Sequence, residues 1–291
     1  MLGTAAGGGF PQWNCACRNC RLAREGALPG RWQSSLAVSG NGRDWHLVNA
    51  SPDVGHQLER FVRPRLEIAT GERGSPVRSV FLTNADLDHT LGLFQLRESG
   101  PCVVTAPPAV RASLEHGLEL RRVLGAYGGI EWREPSGEWT SVDGSGLEVR
   151  AVNLSGGDPP RYDACAASGV HAVGYLFRTG DRTAGFFPDV ARLDTPLLAT
   201  IEECEHVWFD GTFWSEDEML PFSGRTAAAM GHVPMGGATG SLQALRALDA
   251  GCLHYLHINN TNPVLRPDSA ERLEVEAAGA RIAGDGEHFV V

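Results

Sequence analysis

The sequence contains no lysine; all 25 basic residues are arginine. This one-sided usage reads as the coding bias of a GC-rich genome more readily than as selection for arginine chemistry. Basic charge is also short overall. A formal net charge of −10 argues against a general nucleic-acid binder, which would present a basic face. No apolar run reaches the ~18–20 residues of a membrane span. The opening MLGTAAGGGFPQW has no basic stretch followed by an apolar one, so it does not read as a secretory leader. Together these absences lead to the expectation of a soluble, cytoplasmic protein with neither nucleic acid nor membrane as partner.

What is present suits a globular enzyme. Hydrophobic residues make up 42% of the 291 positions and charged ones 21%, enough to build a substantial core. No repeat, low-complexity tract or linker divides the chain, so one domain over 1–291 is expected. Short runs rich in Val, Leu and Phe predict strands at Ser35–Ser39, Trp45–Asn49, Val77–Thr83, Val103–Ala106, Leu147–Asn153, Gly174–Arg178, Thr183–Phe187 and His206–Asp210. Helices are predicted at Ala109–Leu124, Gly240–Leu248 and Asp268–Ala278. Strands in blocks punctuated by helices favour a mixed α/β sandwich.

Seven cysteines are unevenly spread. Cys15, Cys17 and Cys20 fall within six residues, a spacing that suits a soft metal ion better than a disulfide in a reducing compartment. A structural zinc normally takes four protein ligands, and His232, in the Gly-flanked Met230-Gly231-His232, is the candidate for the fourth. Such a closed site would brace the N-terminal loop, residues 1–30 or so, and take no part in catalysis. The scattered Cys102, Cys165, Cys204 and Cys252 read as small buried hydrophobes.

Polar residues crowd the end of an apolar strand at Thr83-Asn84-Ala85-Asp86-Leu87-Asp88-His89. At the carboxyl end of a buried strand such groups are costly unless they are paired or bind a ligand. Asn84, Asp86 and Asp88 alternate and can converge, with His89 turned inward. A second polar patch, His257-Ile258-Asn259-Asn260-Thr261-Asn262-Pro263, follows a strand and reads as a site wall. Asp189 and Asp210 each close an aromatic-led strand. Each alone is a weak signal, and Asp210-Gly211 in particular is a common turn pair.

Several blocks, in order along the chain, resemble one family. They are Gly3–Cys20, Gln33-Ser34-Ser35, Asn49–Asp53, Thr83–His89, Asp210-Gly211-Thr212 with Asp217-Glu218-Met219, Met230-Gly231-His232, and His257–Pro263. The family is pyrroloquinoline quinone biosynthesis protein B of the metallo-β-lactamase superfamily. The resemblance implies an αββα four-layer sandwich. Superfamily hydrolases carry His-x-His-x-Asp-His; here the same frame reads Asn84-x-Asp86-x-Asp88-His89, and Ala151–Ser155 offers no histidine after the middle strand. What survives is Asp88, His89 and His257, a two-histidine, one-carboxylate set with open positions of the kind used by mononuclear Fe(II) oxygenases.

The resemblance therefore implies an Fe(II)- and O2-dependent hydroxylase acting on a tyrosine or similar aromatic of a small peptide, with Zn(II) at the cysteines. Asn84 and Asp86 would orient substrate or assist the metal, Asp86 as an additional ligand, and Asp189 stands where two-metal relatives place a bridging carboxylate. Asn259, Asn260 and Arg225 are candidate substrate contacts. The alternatives are a metal-dependent phosphodiesterase and a carrier of the quinone or its precursor. The oligomeric state, a homodimer included, stays open.

Overall fold

The alternation of side chains along the strands sorts the hydrophobic residues into three cores. The structure, a computed structural model, describes residues 1–65, 74–142, 144–163, 167–248 and 251–290. In chain order the strands are β1 (Leu36–Val38), β2 (Trp45–Val48), β3 (Val77–Phe81), β4 (Cys102–Thr105), β5 (Ile130–Arg133), β6 (Thr140–Ser141), β7 (Glu148–Asn153), β8 (Val173–Thr179), β9 (Arg182–Phe187), β10 (His206–Asp210), β11 (Cys252–Leu256) and β12 (Arg281–Ile282). They form a five-stranded sheet in the order β1-β2-β3-β4-β5 and a seven-stranded sheet in the order β12-β11-β10-β9-β8-β7-β6.

On β10, Val207 and Phe209 face one core while Trp208 between them faces another. On β3 and the residue after it, Val80 and Leu82 face outward and Phe81 inward. A period of two produces this division. The inward residues, among them Leu36, Val48, Phe81, Tyr175, Phe186 and Trp208, fill the space between the sheets. Leu47, Val80 and Val104 pack outward against Val54, Val110, Leu114 and Leu124 from helical segments. Val207, Phe209 and Tyr255 pack outward against Leu197, Leu242 and Val275 of the helices Thr195–Glu202, Ser241–Leu245 and Ala270–Ala277. Helices thus cover both outer faces, which is the αββα metallo-β-lactamase fold.

Most of the predicted strands are present within a residue or two. The short strands β5, β6 and β12 are additional, lying at sheet edges where patterning is weakest. The predicted helix Ala109–Leu124 is interrupted: helix Pro108–Ala112 passes into a wider turn at Ser113–Gly117, and Glu119 at φ 53° breaks it before Leu120–Leu124. The break accompanies a close approach, for a Cβ on Gly117 would lie 2.8 Å from the Tyr162 ring. Helix Ala270–Ala277 starts where its side-chain cap dictates, with Ser269 accepting from the Arg272 N–H. Of the scattered cysteines, Cys204 is buried and Cys102 half-buried, whereas Cys252 is exposed at the start of β11; Cys165 lies outside the described residues. Among the described residues no helix is long and apolar enough to cross a membrane.

The topology concentrates strand ends. β9, β10 and β11 run parallel in the large sheet, and β2, β3, β4 and β5 run parallel in the small one. The Val173 N–H of β8 donates to the Thr83 carbonyl after β3, tying the two sheets together at this edge. The segments that leave β3, β9, β10 and β11 supply the residues described next.

Candidate metal centre and its pocket

The turn after β3 carries Asp88 and His89 on a short helix, Leu87–Thr90, that begins directly beyond Asp86. His257 is the first residue after β11. Its φ of 56° lies in the left-handed region, costly for a non-glycine residue, and turns the chain off the sheet. His89 Nε2 and His257 Nε2 stand 3.3 Å apart, His257 Nε2 lies 3.3 Å from Asp88 Oδ2, and His89 Nε2 lies 3.5 Å from the same oxygen. Donors held ~2.1 Å from one centre are ~3.0 Å apart at right angles and ~3.4 Å apart at tetrahedral angles. The three atoms are therefore spaced to hold one cation.

Neighbours orient both rings. The Thr83 hydroxyl, which donates to Asn49 Oδ1, and the Asn49 amide nitrogen each lie 3.1 Å from His89 Nδ1, and Asp189 Oδ2 lies 3.4 Å from it. With the Nδ1 proton directed at the Thr83 and Asp189 oxygens, Nε2 keeps its lone pair for a cation. The Thr212 hydroxyl donates to Asp210 Oδ1 at 2.7 Å and lies 2.8 Å from His257 Nδ1, which donates to it. Asp210 is fully buried, and its carboxylate also accepts from the backbone N–H groups of Thr212 and Val190 and from His232 Nδ1 at 2.7 Å. Burial disfavours the Asp210 charge, but His232 beside it outweighs burial and holds the carboxyl below its usual range.

The electrostatics suit a cation. Burial works against the Asp88 carboxylate, yet His89 and the hydrogen bond with His257 keep it well below the usual carboxylate range. Burial also opposes charge on His257, but Asp189 and Asp88 raise it to about 9. The site thus favours positive charge, and a metal ion would compete with that proton for Nε2.

The other residues expected at the site divide between two places. Asp189 lies 3.4 Å from His89 Nδ1 and accepts from the Asn84 amide at 3.0 Å, so Asn84 is spent on this carboxylate. Asp86 is not among the donors that converge: its N–H is held by Asn84 Oδ1 and its side chain opens to the pocket wall, correcting the expectation of a further ligand. Asp189, His232 and His257 form a second group whose ligand atoms lie within 4.8 Å of one another, but it shares His257 with the triad.

Cys15, Cys17 and Cys20 do converge, with sulfurs within 4.8 Å of one another. Backbone N–H groups of Cys17 and Cys20 point at the Cys15 and Cys17 sulfurs, as a thiolate-binding knuckle requires. His232 is not with them. It comes from the loop after β10 and faces Asp210 and His257, so the expectation that it completes the cysteine site is overturned. The reason is that buried Asp210 needs a cationic partner. Asn260 is also relocated: its amide reaches Cys15 Sγ at 3.0 Å and it does not line the pocket.

Above the triad lies a cavity of ≈ 760 Å³, lined among others by Asn84, Asp86, Leu87, Tyr162, Arg225 and Asn259. Tyr162 donates to the Ala85 carbonyl at 2.7 Å and pins the segment before it to the turn that carries Asp88. Asn49, Thr83, Thr212 and the Asp210–His232 pair were not assigned these roles from sequence. Asp210-Gly211-Thr212 and Asn49–Asp53 stood out as blocks, but their roles depend on which strand ends meet.

A β-lactamase superfamily domain model matches residues 44–258. The coenzyme PQQ synthesis protein B of Methylobacterium radiotolerans is 40% identical, covering 98% of this chain and 97% of its own length. That of Ruegeria pomeroyi is also 40% identical, covering 100% and 99%. The crystal structure of Zn(2+)-bound PqqB from Methylobacterium extorquens superposes with a TM-score of 0.90 at 37% identity, over 100% of this chain and 98% of that one. A diphosphatase of the PhnP family, 17% identical with a TM-score of 0.67 over 98% and 93%, shares the fold. The likeness to these PQQ synthesis proteins runs nearly end to end, and the chain belongs to the coenzyme PQQ synthesis protein B family of the metallo-β-lactamase superfamily.

Proposed function

We propose that this protein is an Fe(II)- and O2-dependent hydroxylase acting on a tyrosine, or a similar aromatic side chain, of a small peptide in the biosynthesis of pyrroloquinoline quinone or a related peptide-derived cofactor. The observation that carries the reading is the convergence of His89 Nε2, His257 Nε2 and Asp88 Oδ2 beneath an open pocket. Two histidines and one carboxylate leave coordination positions free, the donor set that ferrous iron uses to bring O2 and substrate together. The pathway comes from the names of the relatives.

The chain's own residues supply position and environment. Thr83 and Thr212 fix the histidine rings, and Asn84 holds Asp189 beside them. A pocket of this volume admits a peptide segment larger than one aromatic ring. Leu87, partly exposed on its wall, offers apolar contact to a ring, and Asp86, Asn259 and Arg225 offer polar contacts to the peptide. Inserting one atom of O2 into a C–H bond consumes two electrons and two protons and releases the other oxygen as water, so a reductant from outside the chain is required.

A two-metal hydrolase is less well supported, because Asn84 and Asp86 replace the leading histidines and the Asn84 amide caps Asp189. The test is product mass. Iron-loaded protein given a tyrosine-containing peptide and 18O2 should consume oxygen and yield a peptide heavier by one labelled atom. Phosphodiester cleavage by zinc-loaded protein, with no label incorporated by the iron form, would show the hydroxylase reading to be wrong.

A further inference from the structure

The cysteine cluster and the triad are connected through two short segments. Helix Arg18–Arg24 places Asn19 between Cys17 and Cys20, and the Asn19 amide donates to the Asn260 and Asn262 carbonyls at 3.1 and 2.9 Å. Arg266 holds the Asn19 oxygen at 2.7 Å. The Asn260 amide then faces all three sulfurs, at 3.0 Å from Cys15, 3.6 Å from Cys17 and 3.4 Å from Cys20. Asn260 follows His257 by three residues. Between them Ile258 pairs with the N-terminal segment: its N–H donates to the Thr4 carbonyl and its carbonyl accepts from the Ala6 N–H. The next residue, Gly7, passes so close to Asp88 that a Cβ there would lie 3.3 Å from the carboxyl carbon. The cysteines therefore anchor both the loop that carries His257 and the segment that lies against Asp88.

Three thiolates leave a tetrahedral cation one donor short. Among the described residues no further Cys, His, Asp or Glu joins the group. The Asn260 amide is the polar group in contact with all three sulfurs. A half-turn about its Cβ–Cγ bond exchanges nitrogen for oxygen in the same outline, and the oxygen is the donor. We infer that Asn260 supplies the fourth ligand to the cation held by Cys15, Cys17 and Cys20, and that filling this site thereby tightens cation binding at Asp88, His89 and His257.

An amide oxygen is a hard, neutral donor beside three soft thiolates, so it is the weakest bond of the set. Its value lies in the loop it tethers. A cation that binds Asn260 favours the loop position in which His257 meets Asp88 and His89. By linkage the triad's cation then strengthens the cysteine site by the same factor. The inference does not rest on the oxygenase reading, since both of its readouts are metal affinities.

The test uses the full-length protein with two probes: zinc for the cysteines, titrated against a chromophoric chelator, and manganese for the oxygen- and nitrogen-rich triad. Asn260→Ala is expected to weaken zinc at the cysteines by about tenfold or more, and Asn260→His to restore it. In the wild type, manganese affinity should fall severalfold when the cysteine zinc is stripped; in Asn260→Ala it should no longer respond to zinc. Asn260→Asp, a stronger oxygen donor of the same shape, should hold zinc at least as tightly as the wild type, which keeps the test decisive if the alanine variant folds poorly. Unchanged zinc affinity in a folded Asn260→Ala, or weaker binding in Asn260→Asp, overturns the ligand assignment. Equal manganese affinity with and without zinc in the wild type overturns the coupling.

Discussion

His232 Nδ1 donates to Asp210 Oδ2 across 2.7 Å, inside the site and away from the cysteines. Removing one partner of a buried ion pair leaves the other charge uncompensated. His232→Ala should therefore cost about 3 kcal/mol or more of stability, measured by denaturant unfolding. Zinc stoichiometry at the cysteines should not change; loss of one equivalent of zinc in a folded variant would return His232 to the cysteine site.

Thr212 touches no metal donor atom directed at the triad, yet it sets the orientation of His257 through Nδ1. Supporting hydrogen bonds of this type are worth roughly 10–100-fold in metal affinity. Thr212→Val should lower cation affinity at the triad by that order while leaving the cysteine zinc in place. Calorimetric titration with manganese would show it, and an unchanged affinity would mean that the ring is held by packing alone.

Gly92 follows the metal turn, and a Cβ there would fall inside van der Waals contact with the Ser51 and Ala50 carbonyl oxygens. The backbone cannot yield easily, because Gly92 N–H donates to the Ala50 carbonyl and Ala50 N–H to the His89 carbonyl, both at 2.8 Å. Gly92→Ala should destabilise the protein by about 1–3 kcal/mol, the cost of overpacking, and displace His89. Thermal unfolding and metal stoichiometry should both fall; a wild-type melting temperature would refute the close approach.

Burial pushes the Glu218 carboxyl up to about 7, against hydrogen bonds from the Thr261 hydroxyl and the Trp214 N–H. Its folded pKa exceeds the ordinary glutamate value of 4.5, so the folded state binds the proton more tightly than the unfolded chain. The stability this group contributes is complete below pH 4.5 and is lost as pH rises through about 7. Replacing Glu218 by Gln should flatten that part of the pH–stability curve, measured by denaturant midpoints across the window. A variant whose curve parallels the wild type would show that Glu218 does not carry this dependence.

Much of the architecture was legible because strand patterning is local. Val80, Phe81 and Leu82 alternate between two cores, and Val207, Trp208 and Phe209 do the same, so the strands and the α/β class follow from short-range periodicity. The helix Ala109–Leu124 was overextended because its break depends on Tyr162 packing against Gly117, a contact 45 residues away in the chain. At the site, Asp88, His89 and His257 were recoverable from their motif frame. His232 and Asn260 were exchanged, because either loop could in principle have reached the cysteines.

By itself the sequence determined which chemical groups exist: a cysteine triplet, a metal frame lacking its leading histidines, and a late histidine in an Asn-rich loop. Those absences are covalent facts, and no folding can restore a missing ligand. The tertiary structure decided which groups meet. Parallel strands β9, β10 and β11 bring Asp189, Asp210 and His257 to one edge, and the buried Asp210 carboxylate claims His232 as its partner. That leaves the cysteines to Asn260. The reason is that a buried charge must find a counter-charge or donors within hydrogen-bonding reach, and this reach is set by strand order and loop path across the whole fold.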